Sequence, residues 1–277
     1  LAVSDVALGS KGNLNVEGTK HKVRGYRDPS AIVLNYKLVE SLPPDEVRRG
    51  MAEAYKHALL QDTAYPSGCD PFCPSLGIIM LVLEQRRPDS HMAMLSSFNT
   101  IFAKNYVLGL DPRETTWMAG LLSYGHLHAH AYEMASGFTL NHGDSVPFGM
   151  LVDVKLGGKP RLYKLVLSQL SRMPLMGHLD LFAPPEDALK KAYHAETKPF
   201  FRPHPERPED DAFHVLPLRH IGQYHTATPE NPPNLLTVRF AEMQQAGQAV
   251  LRDLRAIKAN PLRRIAYRMA ASPLCTL

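Results

Sequence analysis

The sequence predicts a mainly α chain. Through the middle of its 277 residues, apolar side chains recur at spacings of three and four, the signature of a helix with one buried face. The β-branched runs that could form strands are short, at Ala31 to Asn35 and near Phe213 to Pro217. Hydrophobic residues make up 44% and charged residues 21%, ordinary globular proportions that argue against disorder, collagen or a coiled coil.

Taken in order, Leu1 to Tyr26 has four glycines among lysines and an arginine, with little periodicity, and is expected to be a loop. After the Ala31 to Asn35 strand, Pro43-Pro44 and two acids open a helix over Asp45 to Gln61. Pro66 to Pro74 reads as a loop. Helices are then predicted at Asp89 to Leu108, Thr115 to Ala135, Ser145 to Leu156 and Pro160 to Ser171. Prolines crowd Pro184 to Pro233, which predicts a long irregular excursion with one brief strand, and Leu235 to Ala259 reads as a final amphipathic helix. One helical domain at 36–277, with its Pro-rich insertion near 184–233, follows an edge of loop and short strand at 1–35.

The formal charge of +4 is spread without a dense basic run, so small anionic substrates suit the chain better than nucleic acid. The apolar stretch Leu76 to Leu83 falls far short of the roughly 18 to 20 residues of a membrane helix. Leu1 to Ser10 does not resemble a signal peptide. Cys69, Cys73 and Cys275 are too few for a four-thiolate zinc site, and unpaired thiols fit a reducing cytoplasm.

The densest chemistry lies in Gly125-His126-Leu127-His128-Ala129-His130-Ala131-Tyr132-Glu133, followed by Asn141-His142-Gly143-Asp144. On a helix His126 and His130 share a face, as metal ligation or a ligand-plus-base pair requires. A metal with an open coordination position needs a third protein ligand, and Glu53 is the leading candidate. It sits in Gly50-Met51-Ala52-Glu53-Ala54-Tyr55-Lys56, where small neighbours permit close approach. From spacing alone, capping or surface histidines and a solvated Glu53/Lys56 pair remain alternatives.

Blocks in order along the chain resemble the 3-dehydroquinate synthase family of sugar-phosphate cyclases. They are Gly9-Ser10-Lys11 through Asn15, Gly18 and Lys20; Ser41-Leu42-Pro43; Gly50-Met51-Ala52-Glu53 with Lys56; Tyr124-Gly125-His126 with His130 and Glu133; and His142-Gly143-Asp144. The resemblance is strong from Asp5 to about Met150 and covers the family's C-terminal part. It implies the helical metal-binding domain of an α/β + α enzyme. The family's N-terminal NAD-binding α/β domain is expected to be largely absent from these residues, with 1–35 the remnant of its edge.

The resemblance further implies NAD and a divalent metal, usually zinc, as cofactors. It assigns Glu53, His126 and His142 to the metal, Lys11, Lys20 and Leu38 to Ser41 to the nicotinamide cofactor, and Lys56, Lys104 and His130 to the substrate and its phosphate. The implied reaction oxidises a ring hydroxyl, eliminates phosphate, returns the hydride and closes a carbocycle by an aldol step, a net carbon–oxygen lyase in a cytoplasmic homodimer. Met118 to Ser123 departs from the pattern, because the family has an Arg-Asn-Leu-Leu-Asn run there. Loss of that arginine fork points away from the carboxylate-bearing substrate of the shikimate pathway and toward a member similar to 2-epi-5-epi-valiolone synthase. A non-catalytic remnant, and more distantly an iron-dependent alcohol dehydrogenase, are the competing readings.

Overall fold

The computed structural model describes residues 11–17, 19–27, 29–33, 35, 37–61, 76–85, 89–196, 198–202 and 211–271. The chain divides into two units: 1–123 with 221–233, and 124–220 with 234–277.

The first unit opens with an antiparallel hairpin, β1 (Lys11–Val16) and β2 (Thr19–Tyr26), where a loop was expected. Lys11 pairs with Tyr26, and the register slips between Leu14 and Val16, next to Glu17 at φ 51°. Glycine and lysine depress the strand signal, but backbone pairing does not require an alternating apolar face. Conversely, Ala31 to Val33 form no strand, and β-branching without a partner strand did not suffice. The short helix α1 (Lys37–Glu40) leads into α2 (Pro44–Gln61). Proline stands at the first position of α2, with Asp45 and Glu46 in its first turn, where the helix dipole favours acids.

From Val47 onward α2 is buried nearly all round, packed against α3 (Leu76–Glu84), α4 (Ser90–Leu110) and α5 (Ala119–Leu122). Asp89 caps α4, its carboxylate accepting from the Met92 amide at 2.9 Å. The end of α2 is closed by the 221–233 loop: the Gly222 and Tyr224 amides donate to Leu59 O and Leu60 O at 3.0 and 2.8 Å. Trp117 and Tyr106 tie the same loop down through bonds to Pro229 O and Ala227 O.

The helix expected at Thr115 to Ala135 is two helices. Buried Asp111 accepts the Thr115 and Thr116 amides at 2.9 and 3.0 Å, which diverts the chain into a turn, and Gly125 breaks it again at φ 77°.

The second unit is built on α6 (His126–Ala135) and α7 (His142–Leu156), packed side by side. Their backbones meet at two glycines: a Cβ on Gly149 would lie 2.0 Å from Gly125 O. α8 (Pro160–Leu170) covers α7, and α9 (Glu186–His194) covers α6 from within the stretch expected to be irregular. A two-stranded antiparallel sheet follows, β3 (Ala212–Val215) with β4 (Leu236–Arg239), Phe213 opposite Val238. The residues expected to begin the last helix thus form β4, and α10 (Phe240–Ala259) starts after it through a bond from the Arg239 amide to Glu242 at 2.8 Å. A further helix, α11 (Leu262–Ala271), packs on α8. Phe148 stacks on Phe182 at 4.3 Å and meets Tyr132 edge-on at 4.8 Å, anchoring the core of this unit.

Pro66 to Pro74, with Cys69 and Cys73, lies outside the described residues, as does Cys275. Among the described residues no helix is long and apolar enough to cross a membrane.

Candidate functional site

In the first unit, α2 carries Glu53 and Lys56 one turn apart, both buried. Lys56 Nζ donates to Glu53 Oε2 and to Leu122 O, the latter at 2.6 Å. The pair is therefore a buried ion pair and not the solvated one that spacing alone allowed. Lys104 on α4 is also buried. Met118 through Ser123, where the resemblance expected an arginine, is buried and carries no charge, so this wall of the unit is apolar.

Lys11 and Lys20 lie on β1 and β2, and their side chains fall outside the described residues. Leu38 is 67% exposed on α1, and Ser41 Oγ donates to Leu38 O at 2.8 Å, pinning the end of that helix.

The second unit gathers three histidines. Ring centroids are 5.2 Å apart for His126 and His142, 5.5 Å for His126 and His130, and 6.1 Å for His130 and His142. His126 and His130 are neighbours because they are four apart on α6, and His142 joins them from the first turn of α7. Each ring is held at Nδ1: His126 by Tyr124 O at 3.0 Å, His130 by Glu196 at 2.8 Å and His142 by Glu133 at 2.8 Å. Carboxylates and a carbonyl only accept, so Nδ1 carries a proton and Nε2 is the nitrogen a neutral ring would offer to a ligand. That is the tautomer metal ligation needs, and the histidine set fits a divalent ion.

The partners are themselves fixed. Glu133 Oε1 also accepts from Ser145 Oγ at 2.6 Å. Glu196 is 4% exposed at its side chain. Burial alone would raise its pKa, but His130 and Lys198 overcome that and hold it down at about 2. Tyr193, on α9, is pushed well above the ordinary phenol range by burial, with Tyr132 and Asp153 adding, and its hydroxyl stays protonated.

Sequence reasoning quoted Glu133 without giving it a role and missed Glu196. Glu133 could have been found as the residue two turns from His126. Glu196 follows α9 in a proline-rich stretch with no periodic signal.

Residues 50–173 match the family profile of the 3-dehydroquinate synthase C-terminal domain. The chain is 29% identical over 156 residues to the 3-dehydroquinate synthase of Sulfolobus acidocaldarius, covering 56% of this chain and 42% of that protein. It is 28% identical over 166 residues to the enzyme of Corynebacterium glutamicum, covering 57% and 41%. The chain thus spans about two fifths of the length of these curated relatives.

Among solved structures, a 2-deoxy-scyllo-inosose synthase complexed with carbaglucose-6-phosphate, NAD+ and Co2+ shares the fold at a TM-score of 0.68 and 20% identity, over 90% of this chain and 63% of that one. The 2-epi-5-epi-valiolone synthase of Streptomyces hygroscopicus, with NAD+ and Zn2+ bound, does so at 0.56 and 17%, over 91% and 64%. Over residues 50–173 the chain is thus similar to the C-terminal domain of 3-dehydroquinate synthase, and it shares its helical fold with these two cyclase structures.

Proposed function

We propose that the chain supplies the metal- and substrate-binding part of an NAD-dependent sugar-phosphate cyclase, a carbon–oxygen lyase that turns a phosphorylated sugar into a carbocycle. The observation that carries this reading is the histidine cluster, in which every Nδ1 has its own acceptor. Glu53, His126 and His142 are assigned to a divalent metal, zinc or cobalt, and Lys11, Lys20, Leu38 and Ser41 to the edge of the NAD site.

A divalent metal held by Glu53, His126 and His142 would supply Lewis-acid polarisation of a substrate hydroxyl, and NAD beside Lys11, Lys20, Leu38 and Ser41 would supply a reversible hydride acceptor. The chain's own residues do the rest. His130, oriented by Glu196, passes a proton at Nε2. Lys56 and Lys104 are buried cations that stabilise the charge gathering on the departing phosphate. Lys56 is fixed by Glu53 and Leu122 O, so its position costs little to organise when substrate arrives. The apolar Met118 to Ser123 wall offers no guanidinium, which suits a sugar phosphate without a carboxylate. A cytoplasmic homodimer belongs to the same proposal.

Elemental analysis of the purified chain tests it. About one zinc per chain is expected, lost in His126→Ala, His142→Ala and Glu53→Ala and kept in Cys73→Ala. Equal metal content in all four variants would sink the ligand assignment.

A further inference from the structure

His128 lies between the two α6 histidines but about 200° round the helix from His126, so it faces away from the cluster. It is fully buried and held at both nitrogens: Nδ1 lies 2.7 Å from Tyr193 Oη and Nε2 lies 3.0 Å from Asp153 Oδ1. The Asp153 carboxylate can only accept, so Nε2 donates to it and Nδ1 accepts the Tyr193 hydroxyl proton. The second Asp153 oxygen, Oδ2, accepts the Gly125 amide at 2.7 Å.

Gly125 is the left-handed residue from which α6 starts, one position before His126, and its carbonyl packs against Gly149. Asp153 lies near the end of α7, whose first turn carries His142. A buried carboxylate, expensive to maintain in a core, therefore ties together the helix bearing His142, the turn that launches His126, and, through His128 and Tyr193, the helix α9 that leads to Glu196.

We propose that Asp153, with His128 and Tyr193 behind it, is a positioning residue for the histidine cluster: it fixes the Gly125 turn and with it the direction in which His126 points. The inference rests on the metal reading for its functional meaning, but its geometry can be tested without metal. Asp153→Asn keeps the shape and exchanges one acceptor oxygen for an amide donor, so the Gly125 amide and a proton on His128 Nε2 can no longer be accepted by separate oxygens.

The experiment is nitrogen NMR of the metal-free full chain labelled at histidine, together with Co2+ titration of the same samples. Asp153→Asn is expected to move the ring signals of His126 as well as His128, and to weaken Co2+ binding by about 10- to 100-fold. Tyr193→Phe should move His128 with a smaller change at His126. Val154→Ala, a buried neighbour outside the network, should lower the melting temperature and leave the His126 signals in place. An Asp153→Asn chain with unchanged His126 signals overturns the inference, whatever the metal does. A wild-type chain that binds no Co2+ overturns the metal reading alone, and the His126 signals then decide the positioning role. Should Asp153→Asn fail to fold, Tyr193→Phe decides it: ring shifts confined to His128 would overturn the coupling.

Discussion

On α2, Glu53 and Lys56 stand one turn apart and neutralise each other, whereas on α6 His126, His128 and His130 each lean on a different acceptor in the second unit: Tyr124 O, Asp153 and Glu196. The ion pair is local, its two charges three residues apart on one helix. The histidine array is largely non-local: Glu196 is 66 residues from His130 and Asp153 is 25 from His128, with only Tyr124 O close in sequence to its ring, His126. A local pair concentrates its risk in two side chains, because losing either one takes from a buried charge the partner one turn away. A distributed array spreads the risk, because losing one acceptor misaligns one ring and leaves the others held. The comparison predicts sharp failure on α2 and graded failure on α6.

The largest effect is therefore expected from Lys56→Met, which removes the cation paired with the buried Glu53 carboxylate and should cost about 3–5 kcal/mol in urea unfolding. Glu53→Gln on the same background should recover part of that. A loss no greater in the single variant than in the double would show that the two charges are not coupled.

Next comes acid. Glu196 is held at about 2, below its ordinary 4.5, so its contribution to stability is complete above the ordinary value and is lost as pH falls toward about 2. Glu196→Gln should flatten the acid limb of the stability profile across that window, by on the order of 3 kcal/mol. An acid limb identical to the wild type would remove Glu196 from the array's support.

Gly149→Ala, which drives a Cβ into the Gly125 carbonyl, should cost about 1–3 kcal/mol and move the head of α6. Thermal melts together with the His126 ring signals would check both parts.

The smallest and most selective change is Glu133→Gln. It removes the negative charge of the carboxylate whose Oε1 serves both His142 and Ser145, and should weaken metal binding by about 10- to 100-fold with little loss of fold stability. A fall in stability as large as that of Lys56→Met would mean that the array is no more tolerant than the pair.

Much of the helical fold was legible in the residues. The ends of α2, α4, α7 and α8 carry proline, a capping aspartate or acids at the first turn, and their apolar spacing is regular. The hairpin of β1 and β2 was not, because its strands are rich in glycine and lysine and declare themselves only by pairing. The split of Thr115 to Ala135 was also hidden: nothing in the periodicity says that Asp111 will capture the amides of Thr115 and Thr116.

At the site, the sequence by itself determined which residues could do chemistry. His126 and His130 had to share a face once α6 was a helix, and Glu53 and Lys56 had to be neighbours on α2. Only the tertiary structure decided what each would be. Burial turned the Glu53/Lys56 pair from a solvated contact into a compensated charge, and packing around α6 brought Asp153 to His128, Glu196 to His130 and Glu133 to His142, while Tyr124 O serves His126 from two residues away. The reason is physical: spacing along one helix fixes direction within that helix, but a tautomer is set by whichever group arrives at the other ring nitrogen, and for His128 and His130 those groups come from residues far away in the chain.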